Sequence, residues 1–197
     1  MFSAELVGFI AGTFGMFFGL PQALRVRRLG HFQGVSLTSW LLQFGVATSW
    51  ATYGYDVKSL ALMVTNIGAG LVNASVIVAI IQNRLKSTLI LTTYVAGLAT
   101  LVLILPAPLV SALLIALVFS QTPQVYKSFK NIQSGEHSAV SYGALSVGAT
   151  SNFLWFIYAL LIDDLLLKVS TTIAFLTYMA VIVLEIIGER SRALKTA

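Results

Sequence analysis

Few side chains in this sequence could do covalent chemistry. The seven acids are Glu5, Asp56, Glu136, Asp163, Asp164, Glu185 and Glu189, the two histidines are His31 and His137, and there is no cysteine. No His, Cys or Asp cluster has metal-ligand spacing, and no nucleophile has a base placed near it. Neither catalysis, a bound metal nor a cofactor is expected. Without cysteine, disulfides, iron–sulfur clusters and thiolate chemistry are excluded. What remains is non-covalent recognition. The indoles of Trp50 and Trp155, the amide of Asn66 and the hydroxyls of Ser170 and Thr171 are the candidate binding groups. Indole faces stack on apolar ring faces, and amides bond hydroxyls. Such a set holds a small polar molecule and leaves it unchanged.

A second set of residues could move rather than bind. Pro21-Gln22 and Pro123-Gln124 each end an apolar run, and cations stand three and six positions after each Gln: Arg25 and Arg28, then Lys127 and Lys130. Proline removes a backbone donor and bends a membrane helix. The two pairs read as equivalent hinges of an inner gate, with Gln22 and Gln124 satisfying freed backbone groups. A static kink is the plainer alternative.

The elements that must position these residues are membrane helices. The chain has 197 residues, 57% hydrophobic and 10% charged, where soluble domains carry about 25% charged residues. Seven apolar segments can be cut at charges, prolines and polar clusters, at 4–27, 36–55, 59–82, 87–105, 108–130, 139–161 and 165–187. They are too long and too uniformly apolar for barrel strands of about 10 residues. Short connections make successive helices antiparallel neighbours. The first five residues, Met1-Phe2-Ser3-Ala4-Glu5, carry an acid and no Lys or Arg, so the first segment is expected to stay as a helix rather than be cleaved. The net charge of +5 does not point to nucleic acid, because the cations sit at segment ends and form no basic face.

The cations orient the bundle. With the N-terminus outside, the inner connections hold Arg25, Arg27, Arg28, Arg84, Lys86, Lys127, Lys130, Arg190, Arg192 and Lys195, and the outer ones hold only Lys58 and Lys168. An N-out, C-in topology follows from the positive-inside rule.

The chain also repeats itself. Pro21-Gln22 maps to Pro123-Gln124 at an offset of 102, and after the first inner loop the offset becomes 105. Val35-Ser36 then maps to Val140-Ser141, Trp50 to Trp155 and Tyr53 to Tyr158. Extra residues around Ser134-Gly135-Glu136 account for the change. Segments one to three therefore recur as five to seven, and segment four, Ser87 to Leu105, has no counterpart. The expected divisions are a first three-helix repeat at 4–82, a linker helix at 83–107, a second repeat at 108–187 and a cytoplasmic tail at 188–197. One added crossing puts both repeats in the same orientation, the parallel-repeat arrangement of transporters.

Depth groups the binding candidates. At about 1.5 Å per residue, Trp50, six residues before Asp56, and Asn66, eight after Lys58, both lie on the order of 10 Å below the outer surface. Trp155 and Thr171 are placed the same way about Asp163-Asp164. Tyr53 and Tyr158 follow each Trp by one turn, and read as an outer gate or as interface anchors. Plainer roles stay open: an aromatic belt for the tryptophans, interhelical hydrogen bonding for Asn66, and bonds to their own helix for Ser170 and Thr171. Asn73-Ala74-Ser75 spells a glycosylation sequon inside segment three and is discounted. The facing of Asn73 stays undecided.

Two Pro-Gln motifs, three helices plus one plus three, and Trp50-Ala-Thr-Tyr53-Gly54 followed by Asn66 resemble the PQ-loop superfamily, and within it the SWEET and SemiSWEET sugar transporters. The resemblance implies a central sugar held by a Trp of the second helix and an Asn of the third helix in each half. Trp50, Asn66 and Trp155 match that pattern; Thr171 stands where the second Asn would be, and Asn152 resembles another family Asn that precedes the Trp. It implies facilitated, alternating-access transport of a mono- or disaccharide through a multi-pass protein, expected in the plasma membrane. With no carboxylate or histidine in the middle of a segment, uniport is expected rather than proton coupling. A carrier of another small polar solute, such as an amino acid or vitamin, is the alternative. A PQ-loop receptor is a third reading, but it needs a cationic cavity that this sequence does not offer. A retinal protein needs a lysine midway along the last helix, and Lys168 is at that helix's mouth. Homo-oligomerisation is open, since two bundles in one chain need no partner to form a pore.

Overall fold

The computed structural model describes residues 2–29, 37–119, 122–134 and 142–196. Val35, Ser36, Val140, Ser141, His31, His137 and the insertion around Gly135 and Glu136 lie outside the described residues, as do the side chains of Pro21, Gln22 and Pro123. The described chain is all helical: α1 (Phe2–Leu29), α2 (Leu37–Asp56), α3 (Leu60–Ile81), α4 (Arg84–Ile104), α5 (Ala107–Val118), α6 (Thr122–Ser134), α7 (Tyr142–Leu161) and α8 (Leu165–Thr196). Lipid offers backbone groups no hydrogen-bond partner, so a helix, which satisfies its own, is what an apolar sequence adopts there. Among the described residues, Leu60–Ile81, Arg84–Ile104 and Leu165–Ser191 are long and apolar enough to cross a membrane, and Ala4–Met16, Ala107–Val118 and Leu145–Leu161 are shorter apolar helices. Leu71, Leu89, Leu109 and Leu176 are more than half exposed, a surface that belongs in hydrocarbon rather than water. The chain is an integral, multi-pass membrane protein.

One expectation needs correction. Segment 108–130 is described as two helices. α5 ends at Val118, the Phe119 N–H bonds the carbonyls of Ala116 and Leu117, and α6 is described from Thr122, with Ser120 and Gln121 between them outside the described residues. Pro123 is the second residue of α6, and proline is well placed near the start of a helix. The matching Pro21 lies instead inside one long helix, α1. The two Pro-Gln sites therefore differ in backbone form. α8 continues as helix as far as Thr196, through most of the expected tail at 188–197. Glu185 thus lies well inside that helix.

α1 packs on α3 and α7, α2 on α3, α7 on α8, and α6 on α8, while α4 leans on α2 and α3. α1 comes close because of its small residues. A Cβ on Gly8 would meet the Ala61 Cβ at 2.6 Å, and one on Gly12 would overlap Thr65. This Gly-x-x-x-Gly face lets backbones approach in lipid, where dispersion and hydrogen bonds hold helices together. On its other side α1 accepts a hydrogen bond at the Ala11 carbonyl from the Ser151 hydroxyl of α7, at 2.8 Å.

The α2–α3 and α7–α8 turns are built alike. Lys58 and Asp163 both take the left-handed conformation, with φ of 58° and 56°. Val57 and Ile162 donate to Tyr53 and Tyr158 carbonyls, and Ser59 and Asp164 donate to Gly54 and Ala159 carbonyls five residues back. These are Schellman-type helix ends. Around them lies the main apolar core, which includes Trp50, Leu62, Val110, Leu114, Tyr158 and Leu167. The core closes the end of the molecule that carries both turns.

Candidate functional site

Beneath that core is a cavity of about 230 Å³, lined from α1, α2, α3, α7 and α8, with Val118 at the end of α5. All six residues singled out as binding candidates line it: Trp50, Asn66, Asn152, Trp155, Ser170 and Thr171. Trp50 is only 8% exposed, so it is not an aromatic belt residue facing the interface. Each indole meets a tyrosine edge-on one turn away, Trp50 with Tyr53 at 5.7 Å between centroids and Trp155 with Tyr158 at 5.5 Å. The tyrosines set the tilt of the indoles from above.

The polar lining is anchored to its own helices. The Asn66 Nδ2 donates to the Leu62 carbonyl at 2.9 Å, and the Asn152 Nδ2 to the Gly148 carbonyl at 2.9 Å. Each amide keeps its oxygen and a second N–H for a ligand. Thr171 donates to the Leu167 carbonyl at 2.7 Å, the bond Asn66 makes at the matching position. Thr65 donates likewise to Ala61 at 2.7 Å. Its counterpart Ser170 differs: the Ser170 hydroxyl is buried and has no hydrogen-bond partner. An unsatisfied buried hydroxyl costs free energy.

Sequence reasoning missed three polar groups of the lining, Gln43, Thr65 and Ser151. Asn73, whose facing was undecided, turns to the cavity. Among the described residues no Lys, Arg, Asp or Glu lines it. A neutral polar molecule fits such a site, and a bound carboxylate would find no cation there.

Tyr53 and Tyr158 stand between the cavity and the turns, where hydrogen bonds cross from one half to the other. The Tyr53 hydroxyl donates to Asp164 Oδ2 at 2.6 Å. The Tyr158 hydroxyl donates to Glu5 Oε1 at 2.7 Å. With its one proton so used, Tyr158 accepts from the Ser59 hydroxyl at 2.6 Å. Glu5 also accepts from the Ala61 N–H at 2.6 Å, which holds α1 on the first turn of α3. Ser59 and Asp164 are equivalent under the 105-residue offset, as are the tyrosines, and that offset was the signal that could have found them. Glu5 has no such signal, because Ala107 occupies the matching position. Beside this layer, Lys168 hydrogen-bonds the exposed Asp163 and holds its carboxyl below the usual range.

At the opposite end, Gln124 Nε2 donates to the Ser128 hydroxyl at 3.4 Å, a side-chain contact in place of the freed backbone group expected for it. Ser128 donates onward to Glu185 Oε1 at 2.6 Å, and both are buried.

The helical fold is similar to that of a eukaryotic SWEET transporter of solved structure. The match covers 98% of this chain and 97% of that one, with a TM-score of 0.63 and 17% identity. In sequence the chain is 28% identical over 81 residues to a "Sugar transporter SemiSWEET" of Escherichia coli (strain UMEA 3162-1), 41% of this chain and 91% of the relative. No family model matches. The chain is thus SWEET-like in fold and SemiSWEET-like in sequence.

Proposed function

We propose that the chain is a facilitative carrier of a small sugar. In this reading the apolar stretches make seven spans, N-out and C-in, with 4–82 and 108–187 as parallel repeats joined by a linker helix at 83–107. The sugar binds between Trp50 and Trp155, with ring C–H faces on the indoles and hydroxyls at Asn66, Asn152, Ser170 and Thr171. The observation that carries the reading is the uncharged cavity that joins two indoles to these amides and hydroxyls. Its volume is on the order of one hexose, roughly 190 Å³ at organic-crystal packing density.

Alternating access is rocking of one repeat against the other. The Tyr53–Asp164 and Tyr158–Ser59–Glu5 contacts close the outer side, and Pro21-Gln22 and Pro123-Gln124 work the inner side. The two tyrosine contacts link residues of different repeats, so opening breaks them without unfolding either bundle. Uniport is supported by a lining that, among the described residues, holds no Lys, Arg, Asp or Glu; Glu185 lies at the α6–α8 contact and is not among the residues that line the cavity. The membrane proposed is the plasma membrane.

Counterflow of labelled glucose in proteoliposomes tests the proposal. Exchange that Trp50→Ala abolishes supports it. No exchange of any monosaccharide refutes the sugar, and accumulation driven by a pH gradient refutes uniport.

A further inference from the structure

A second hollow, of about 490 Å³, lies on the lipid-facing side of α2 and α3, where α4 leans over them. Its floor is made of small residues, Ala51, Gly70 and Ala74, and its rims include Leu71 and Val95, 68% and 43% exposed. The two threonines within it turn their hydroxyls to carbonyls of their own helix, at 2.9 Å each. The groove therefore offers carbon almost throughout, and only an apolar occupant gains by entering.

Its length and its mouth identify that occupant. On α2 the groove runs from Tyr55 at the turn end to Phe44, a span of about 16 Å by helix rise. One leaflet of the hydrocarbon core is about 15 Å thick. At the mouth the Lys58 ammonium lies 4.7 Å from the centroid of the Tyr55 ring. That cation stands at headgroup level, where a phosphate would be. A single-leaflet groove with a cation at its mouth matches one phospholipid in charge and in length.

We propose that this groove holds one acyl chain of a phospholipid from the leaflet on the turn side, with the phosphate at Lys58. Ala47 and Asn66 line both this groove and the central cavity. The acyl chain therefore packs against the back of the wall that presents the Asn66 amide. Because α4 has no counterpart, the groove belongs to the first half alone.

The test counts phospholipid retained per chain, by native mass spectrometry of the full-length protein released from mild detergent. The parent is expected to keep one phospholipid. The paired change Ala51→Leu and Ala74→Leu, which fills the groove, is expected to lose it, and Lys58→Ala to weaken its retention several-fold. Gly70→Ala guards against misfolding of the pair. Its added Cβ meets Ala47 and Phe44 only at ordinary distances, 3.8 and 3.9 Å, and it should lower retention in the same direction. Leu176→Ala, on an exposed face of α8, should change nothing. Equal retention in the parent, the filled pair and Gly70→Ala would mean belt lipid only and overturn the proposal. A parent mass of two chains that the filled pair reduces to one would overturn it in favour of a second copy on this face. The readout is lipid occupancy, so it stands whatever the carrier moves.

Discussion

The Tyr53 hydroxyl reaches Asp164 Oδ2 at 2.6 Å from α2 to the start of α8. Asp164 uses its other oxygen to accept from the Leu167 N–H at 2.8 Å, so one carboxylate both caps a helix and ties two halves together. Ser59 does the same two jobs for α3, accepting from the Leu62 N–H at 3.1 Å and reaching Tyr158 at 2.6 Å. The cross-links are built on helix caps, which are the most fixed points of their bundles. They can break while the caps stay made.

Tyr53→Phe should therefore open the turn end without melting a helix. A hydrogen bond to a charged group is worth about 1.5–3 kcal/mol, so the ratio of open to closed forms should rise on the order of tenfold or more. The chain has no cysteine of its own, and Val46 lines the cavity. A single Val46→Cys should react faster with an impermeant maleimide added on the turn side when Tyr53 is Phe. An unchanged rate would show that the contact does not hold that end shut.

Asp164→Ala should lower thermal stability, since loss of a cap costs about 1 kcal/mol on top of the lost cross-link. Asp164→Ser should recover most of the loss, because serine serves both roles at the matching position 59. If serine melted no higher than alanine, the charge rather than the cap would be what matters there.

Ser170→Ala separates binding from folding. Removing a buried hydroxyl that has no partner leaves the empty protein as stable or more so. If the hydroxyl meets the cargo, the half-saturation concentration should rise several-fold, matching a lost hydrogen bond of about 0.5–1.5 kcal/mol. A fall in melting temperature with unchanged saturation would assign Ser170 to packing alone.

Gly12→Val tests the α1–α3 approach. The new side chain would enter the space of Thr65, and overpacking of that kind costs about 1–3 kcal/mol. Unfolding in denaturant should shift to lower concentration, and Thr65→Ala should recover part of the shift. A parental midpoint in Gly12→Val would mean the two helices are farther apart.

Much of the site was legible because two regularities of the chain are local. The rise of a helix and the 105-residue offset together placed Trp50, Asn66, Trp155 and Thr171 at one depth, and these residues do line one cavity. Composition and segment length together pointed to membrane helices, since lipid allows only helices or closed barrels and the segments are too long for barrel strands. Facing was another matter. A lipid-embedded helix is apolar on nearly every side, so it lacks the stripe that tells a soluble helix which way to turn. Whether Gln43 and Asn73 meet the cavity depends on helix rotation, which is set by contacts such as Gly8 on Ala61. The same holds for Glu5, which joins the Tyr158 network only because α1 packs beside the start of α3. Tyr53 pairs with Asp164 rather than with Ser59 of its own half because the bundles lie side by side and each tyrosine faces across the seam. The sequence by itself determined the helical membrane class and the residue types available for binding. Only the tertiary structure decided rotation and partner choice, because these follow from packing between segments far apart in the chain.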